Sequence, residues 1–366
     1  MEILSMPLNP VIFTFVLMVV TLGMLLALVP IMVMVERRGS AWMQRRIGPN
    51  RVGPFGLLQP MSDAIKLMVK ETLLPIKAHK TLFILAPALA ILPPIVAFMA
   101  IPLGGTVMWK GAEYPLQVLN LDVGLLFILA ISSLHVYAVL AAGWSSNNKF
   151  SLMGALRASS QMISYEIAMG VVVASMVFTY GTLDLREIVK LQEAGGGVLG
   201  WGALLQPLGF IILWVAAFAE TNRLPFDLPE GESELVAGYH TEYSGMTFAL
   251  FMLGEYVAML VSSAYLATVF LGGFNVPFYS EANLREIFVG MGSSADFASI
   301  FTVAIQFASF MIKMLGFMWV FVWVRWTLPR FRYDQLMDLG WRTLLPLGVF
   351  NVIVTMIVTY YLGMRA

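Results

Sequence analysis

The sequence predicts an all-α integral membrane protein of about eight transmembrane helices, with one amphipathic helix lying beside them and no soluble domain. Three observations predict it. Hydrophobic residues make up 59% of the chain and charged residues only 12%, at a mean hydropathy of +0.81. Apolar runs of about 20 residues, each long enough to cross a bilayer, recur along the whole length. Lysine and arginine are shared unequally between the connections. Those after the odd-numbered spans carry 16 and those after the even-numbered spans carry four. By the positive-inside rule the odd connections face the cytoplasm, and both termini lie on the outer, periplasmic side.

The expected spans are 11–35, 81–101, 122–143, 160–181, 204–220, 246–271, 302–324 and 343–362, forming a single polytopic membrane domain over 1–366. No basic segment precedes the first run, so it reads as a retained span and not as a cleaved leader. Between spans one and two, Gln44 to Pro54 is rich in glycine and proline and reads as a shaped loop. Leu58, Met61, Ile65, Met68, Val69 and Leu73 then recur at helical spacing, with Asp63, Lys66 and Lys70 on the other face. That pattern predicts an interfacial helix.

The connection after the fifth span stands out. Residues 219–243 hold Glu220, Asp227, Glu230, Glu232, Glu234 and Glu242 against a single arginine, Arg223. Pro225 and Pro229 bracket Phe226 and Asp227, so this stretch is not one continuous helix. Within the spans, Glu166 lies about 10 Å and Glu255 about 14 Å from the cytoplasmic ends of their helices at 1.5 Å per residue. Glu220 closes the fifth span on the same side, and Lys313 falls near the middle of the seventh. Ionisable groups inside a membrane are costly unless they are paired or have a task, and proton paths are one such task. Glu36 and Asp63 sit at membrane level on facing elements, and Arg325, Arg330 and Arg332 either hold a soluble partner or only enforce topology.

Several chemistries are disfavoured. The chain has no cysteine, which removes disulfides, thiolate metal sites and iron–sulfur ligation. Of His79, His135 and His240 only His135 lies in a span, so paired haem ligands are missing. Gly195 to Gly200 matches a nucleotide-loop spacing but follows no strand, and reads as a turn. A net charge of zero argues against nucleic acid as a partner.

The runs Glu36-Arg-Arg, Ile47-Gly-Pro-Asn-Arg-Val-Gly-Pro-Phe-Gly-Leu-Leu-Gln-Pro and Asp63-Ala-Ile-Lys carry a resemblance. So do Gly143-Trp-Ser-Ser-Asn-Asn-Lys149, Ile163-Ser-Tyr-Glu166, the acidic stretch itself, Glu255-Tyr256 and Pro329-Arg-Phe-Arg-Tyr-Asp-Gln-Leu-Met337. Together, over about 36–342, they resemble a family of membrane subunits of respiratory NADH:quinone oxidoreductase (complex I). Its bacterial members are the H subunits, and its mitochondrial member is NADH dehydrogenase subunit 1.

The resemblance implies a subunit of a proton-translocating enzyme of the bacterial inner membrane that is not catalytic alone. Quinone would be its substrate, with no flavin, haem or iron–sulfur cluster bound by this chain. Partners would be the peripheral-arm subunits of the quinone site, small and antiporter-like membrane subunits, and lipid. By resemblance, Glu36, Arg37, Asp63, Arg223, Phe226 and Asp227 would line or support the quinone chamber. Glu166, Glu220, Glu230, Glu232, Glu234, Glu242 and Glu255, with Lys313, would form the proton path. Some relatives carry a glutamate in the third span where this chain has Ser133. His135, two residues on, falls on a different face of a regular helix and reads as a poor substitute. The alternatives are the equivalent subunit of a related membrane hydrogenase or other dehydrogenase, and a self-contained ion transporter. No inverted repeat favours the transporter.

Overall fold

The first helix shows how the sequence sets its own boundaries. Asn9 caps it, its side chain accepting the Val11 N–H at 3.0 Å, and Pro10 opens it where no N–H is needed. The computed structural model describes residues 9–228 and 231–362. Glu230 therefore lies outside the described residues, as does the side chain of Glu232. Helices account for 73% of the structure, and among the described residues seven are long and apolar enough to span a membrane.

In chain order, α1 is Pro10–Met43, α2 Gln59–Val69 and α3 Lys80–Met99. A hairpin of β1 (Thr106–Trp109) and β2 (Ala112–Pro115) follows. Next come α4 (Gly124–Ser132), α5 (Leu134–Ser145), α6 (Lys149–Tyr180), α7 (Leu185–Ala194), α8 (Gly202–Leu205), α9 (Pro207–Glu220) and α10 (Glu232–Leu235). The chain ends with α11 (Gly245–Phe270), α12 (Glu281–Gly290), α13 (Ala295–Thr327), α14 (Tyr333–Asp338) and α15 (Leu345–Leu362). One π-helical stretch, Leu339–Leu344, joins the last two.

The fifth expected span is the short one. α9 has 14 residues, about 21 Å of helix; Gln206 separates it from α8 and Pro207 opens it. The hairpin was not anticipated: Lys110 and Gly111 both adopt positive φ (51° and 77°), the conformation of a tight two-residue hairpin turn. Four-residue strands leave little periodicity to read.

α3 packs on α5 and α11, α6 on α5, α9 and α15, and α13 on α11 and α1. Small residues allow the closest approaches, as is usual where helices associate in lipid. A Cβ on Gly254 of α11 would come within 2.9 Å of the Ala90 carbonyl of α3, and one on Gly154 within 2.7 Å of Gly238. Prolines inside α3 have a second effect. Pro87 and Pro94 lack the N–H that would bond the carbonyl four residues earlier, so the Phe83 and Ala90 oxygens are released. Each finds another partner, as buried backbone in a membrane requires. The Tyr243 hydroxyl donates to Phe83 at 3.2 Å, and His135 Nδ1 lies 3.2 Å from the Ala90 oxygen.

Candidate functional site

Toward the end of the bundle that carries the basic connections, α1, α2, α11, α13 and the loop after α9 enclose a cavity of about 720 Å³. That is within the usual volume of a small-molecule site. Along α1 its wall grades from Leu26, Val29, Pro30 and Val33 to Glu36, Arg37 and Ser40. Ten residues of helix separate Leu26 from Glu36, about 15 Å of depth. One part of the cavity is apolar and the other charged, a shape suited to a polar head on an apolar tail.

The charged part is a network. Arg223 lies 3.9 Å from Glu36 and 3.5 Å from Glu255, with its guanidinium 4.6 Å from the centre of the Tyr256 ring. The Tyr256 hydroxyl donates to Glu36 at 2.6 Å, and Arg325 forms an ion pair with the same carboxylate. Arg37 pairs with Asp63, which also accepts from Gln59 Nε2 at 3.1 Å. Asp227 pairs with Arg330 at 3.0 Å. Charges taken out of water persist only with such compensation.

Five of the six residues assigned to the quinone chamber, Glu36, Arg37, Asp63, Arg223 and Asp227, share this cavity. Phe226 does not line it. Its ring is buried against Tyr165 at 5.5 Å and Phe331 at 5.4 Å, beneath the loop that presents Arg223 and Asp227. Gln161 of α6 fixes that loop, its amide reaching Ala219, Asn222 and Phe226 at 2.8–3.1 Å. Two acids of the following connection, Glu234 and Glu242, turn back onto α6 and its N-terminal cap. Glu234 pairs with Arg157 at 2.7 Å, and Asn148 donates to Glu242 at 2.7 Å.

A second, smaller chamber of about 40 Å³ lies between α3, α4, α5, α6, α9 and α11. Glu166 and Glu220 both line it, together with Ser132, Ser133, His135 and Tyr265. Ser132 is hydrogen-bonded to Glu220. At roughly 10–15 Å³ per water, the chamber has room for about three or four. Glu255 faces the large cavity instead, so the membrane carboxylates divide between two spaces.

Two sequence readings need correction here. The third span is not one regular helix: it breaks between α4 and α5, and the Val136 N–H bonds the Ser133 carbonyl three residues back at 3.1 Å. The tightened turn brings Ser133 and His135 into the same chamber, so His135 is not turned away. Lys313 stands apart from the acids. Its ammonium donates to the Gly273 and Asn275 carbonyls at 2.9 and 2.6 Å and lies 4.7 Å from the Trp201 ring centre. Those carbonyls follow the far end of α11. Position 313 lies near the middle of α13, as expected, but its side chain is turned onto the connection after α11 and not toward the acids.

Sequence reasoning also missed partners. Arg325 and Arg330 bond this chain's own acids, and Tyr239 donates to Glu255 at 3.2 Å. An arginine directly after an apolar span, facing an acid at the end of another, was the available signal for Arg325. Among the described residues, no group of three or more histidines and acids is arranged to hold a metal ion.

Known proteins share this sequence over most of its length. The family model described as NADH dehydrogenase matches residues 15–356. The H subunit of the NADH-quinone oxidoreductase of Bdellovibrio bacteriovorus is 47% identical over 365 residues, covering 94% of this chain and 95% of its own. That of Salinibacter ruber is 47% identical over 323 residues, covering 88% and 89%. The NADH-quinone oxidoreductase subunit 8 of Rhodothermus marinus is 47% identical over 323 residues, covering 88% and 90%.

Proposed function

The chain belongs to the NADH dehydrogenase family, and on that premise we propose that it is the quinone-chamber subunit of a proton-pumping NADH:quinone oxidoreductase. It acts in the bacterial cytoplasmic membrane beside peripheral-arm, small and antiporter-like subunits, with both termini on the outer side. The observation that carries this reading is the amphiphilic cavity of about 720 Å³ in which Glu36, Arg37, Asp63, Arg223 and Asp227 converge. An isoprenoid tail fits its apolar depth along α1, and a quinone head fits the charged part.

Electrons come from a partner subunit. Reduction of a quinone consumes two electrons and two protons, so charge at the head rises before protons arrive. Glu255 borders the cavity and is bonded by Tyr239, which places a carboxylate where it feels that charge. Glu166 and Glu220 continue the path in the smaller chamber, and the acids of the connection after α9, Glu230, Glu232, Glu234 and Glu242, belong to the same path. Lys313, near the middle of α13, serves that path by fixing the connection after α11 to α13.

Asp63→Ala in the intact complex tests the quinone role. It removes the partner of Arg37 at the cavity wall and is expected to slow reduction of a short-chain ubiquinone analogue by on the order of tenfold. Ferricyanide reduction by NADH, which bypasses the quinone, should be unchanged. Equal loss of both activities would mean failed assembly and would count against a quinone role for this wall.

A further inference from the structure

His135 of α5 is a buried titratable group in the wall of the smaller chamber, and its surroundings make it more than a packing group. It lines the small chamber with Glu166 and Glu220. Its Nδ1 sits 3.2 Å from the Ala90 oxygen, a carbonyl that Pro94 has deprived of its helical partner. A carbonyl only accepts, so Nδ1 carries a hydrogen and Nε2 is the nitrogen that takes up or gives up a proton. The same carbonyl packs against Gly254, next to Glu255. Glu255 borders the large cavity and accepts from Tyr239, whose ring lies 3.8 Å from that of His240. The imidazole is thus fixed by one nitrogen in the chamber of Glu166 and Glu220, on a carbonyl that packs against the helix carrying Glu255.

We propose that His135 carries protons between the Glu255–Tyr239–His240 cluster at the large cavity and the Glu166–Glu220 chamber. Nε2 takes a proton arriving from one side and releases it to the other, while the Nδ1 hydrogen stays on Ala90. The titratable groups that share its chamber are Glu166 on α6, Glu220 on α9 and Tyr265 on α11, while Glu255, Tyr239 and His240 lie on the far side of the Ala90–Gly254 contact. Ser132 and Ser133 complete the chamber wall. The proposal rests on the reading that these carboxylates move protons during quinone reduction.

A structural role would need only the bond to Ala90, and asparagine can supply that donor without titrating. The test uses the intact complex in sealed membrane vesicles, with His135→Asn, Glu220→Gln, and His135→Asn combined with Ser133→Glu. Rates with NADH are read with ferricyanide and with a short-chain ubiquinone analogue, alongside the proton-to-electron ratio. His135→Asn is expected to keep the ferricyanide rate and to lose quinone-linked turnover by on the order of tenfold, less than a direct general acid or base contributes. Adding Ser133→Glu should restore most of that turnover, because it returns a proton carrier to the same wall. Parental turnover and proton ratio in His135→Asn would overturn the proposal. So would a loss that Ser133→Glu does not repair, or a His135→Asn complex that fails to assemble, since either makes the imidazole a packing group. Glu220→Gln separates the two levels. If it loses turnover while His135→Asn stays parental, only the histidine is misassigned, whereas parental Glu220→Gln sinks the carboxylate path itself.

Discussion

Arg223 holds two buried carboxylates, Glu36 and Glu255, at 3.9 and 3.5 Å, and stacks on Tyr256. Removing one partner from a buried ion network costs about 3–5 kcal/mol, because charges left behind are uncompensated. Arg223→Ala is therefore expected to lower the melting temperature of the purified complex and its yield on native gels. Arg223→Lys keeps the charge but loses the planar fork and the stacking. It should assemble while quinone turnover falls, and an Arg223→Ala complex that melts with the parent would refute this role. Arg223 was visible in the sequence because it is the one base in an acidic stretch. The contacts of Tyr256 and Arg325 with Glu36 were not, since they span 220 and 289 residues of chain. Phe226 and Lys313 had the right residue types for a chamber and a proton path, but only packing decides which way such a side chain faces. One is turned into the core and the other is claimed by carbonyls.

At the scale of elements, hydropathy reads the apolar part of each helix and stops where polar residues begin. α1, α6 and α13 run on past those points to Met43, from Lys149 and from Ala295, because their ends keep folding outside the apolar layer. The break after Ser132 leaves no mark in composition, and it is the feature that brings His135 beside Glu166 and Glu220. The approach of α3 to α11 is equally silent in a single sequence. Gly254→Ala places a methyl 2.9 Å from the Ala90 oxygen, where the backbone has to give. Overpacking of this kind typically costs about 1–3 kcal/mol. The variant is expected to melt earlier and to reduce quinone more slowly, because the displaced carbonyl also anchors His135. An unchanged melting curve and turnover would show that the two helices separate freely there.

At the scale of the molecule, the unequal sharing of lysine and arginine sets an orientation that labelling can read without background, since the chain has no cysteine of its own. A cysteine at Asn50 should react only from the cytoplasmic side, and one at Leu199 only from outside. The opposite pattern would invert the topology and move the large cavity to the wrong face for a soluble electron donor. That cavity also has one weakly held wall. α2 contributes no buried side chain, and it reaches α1 through Arg37 and Asp63 on the cavity rim. Local opening follows the number of buried contacts an element makes, so α2 is the part of the chamber with the least to lose by moving away. In time, this makes it the hinge-side door of an otherwise fixed room. Deuterium should enter the amides of 59–69 well before those of α3, and a bound quinone-site inhibitor should slow that uptake while leaving the far end of α11 untouched.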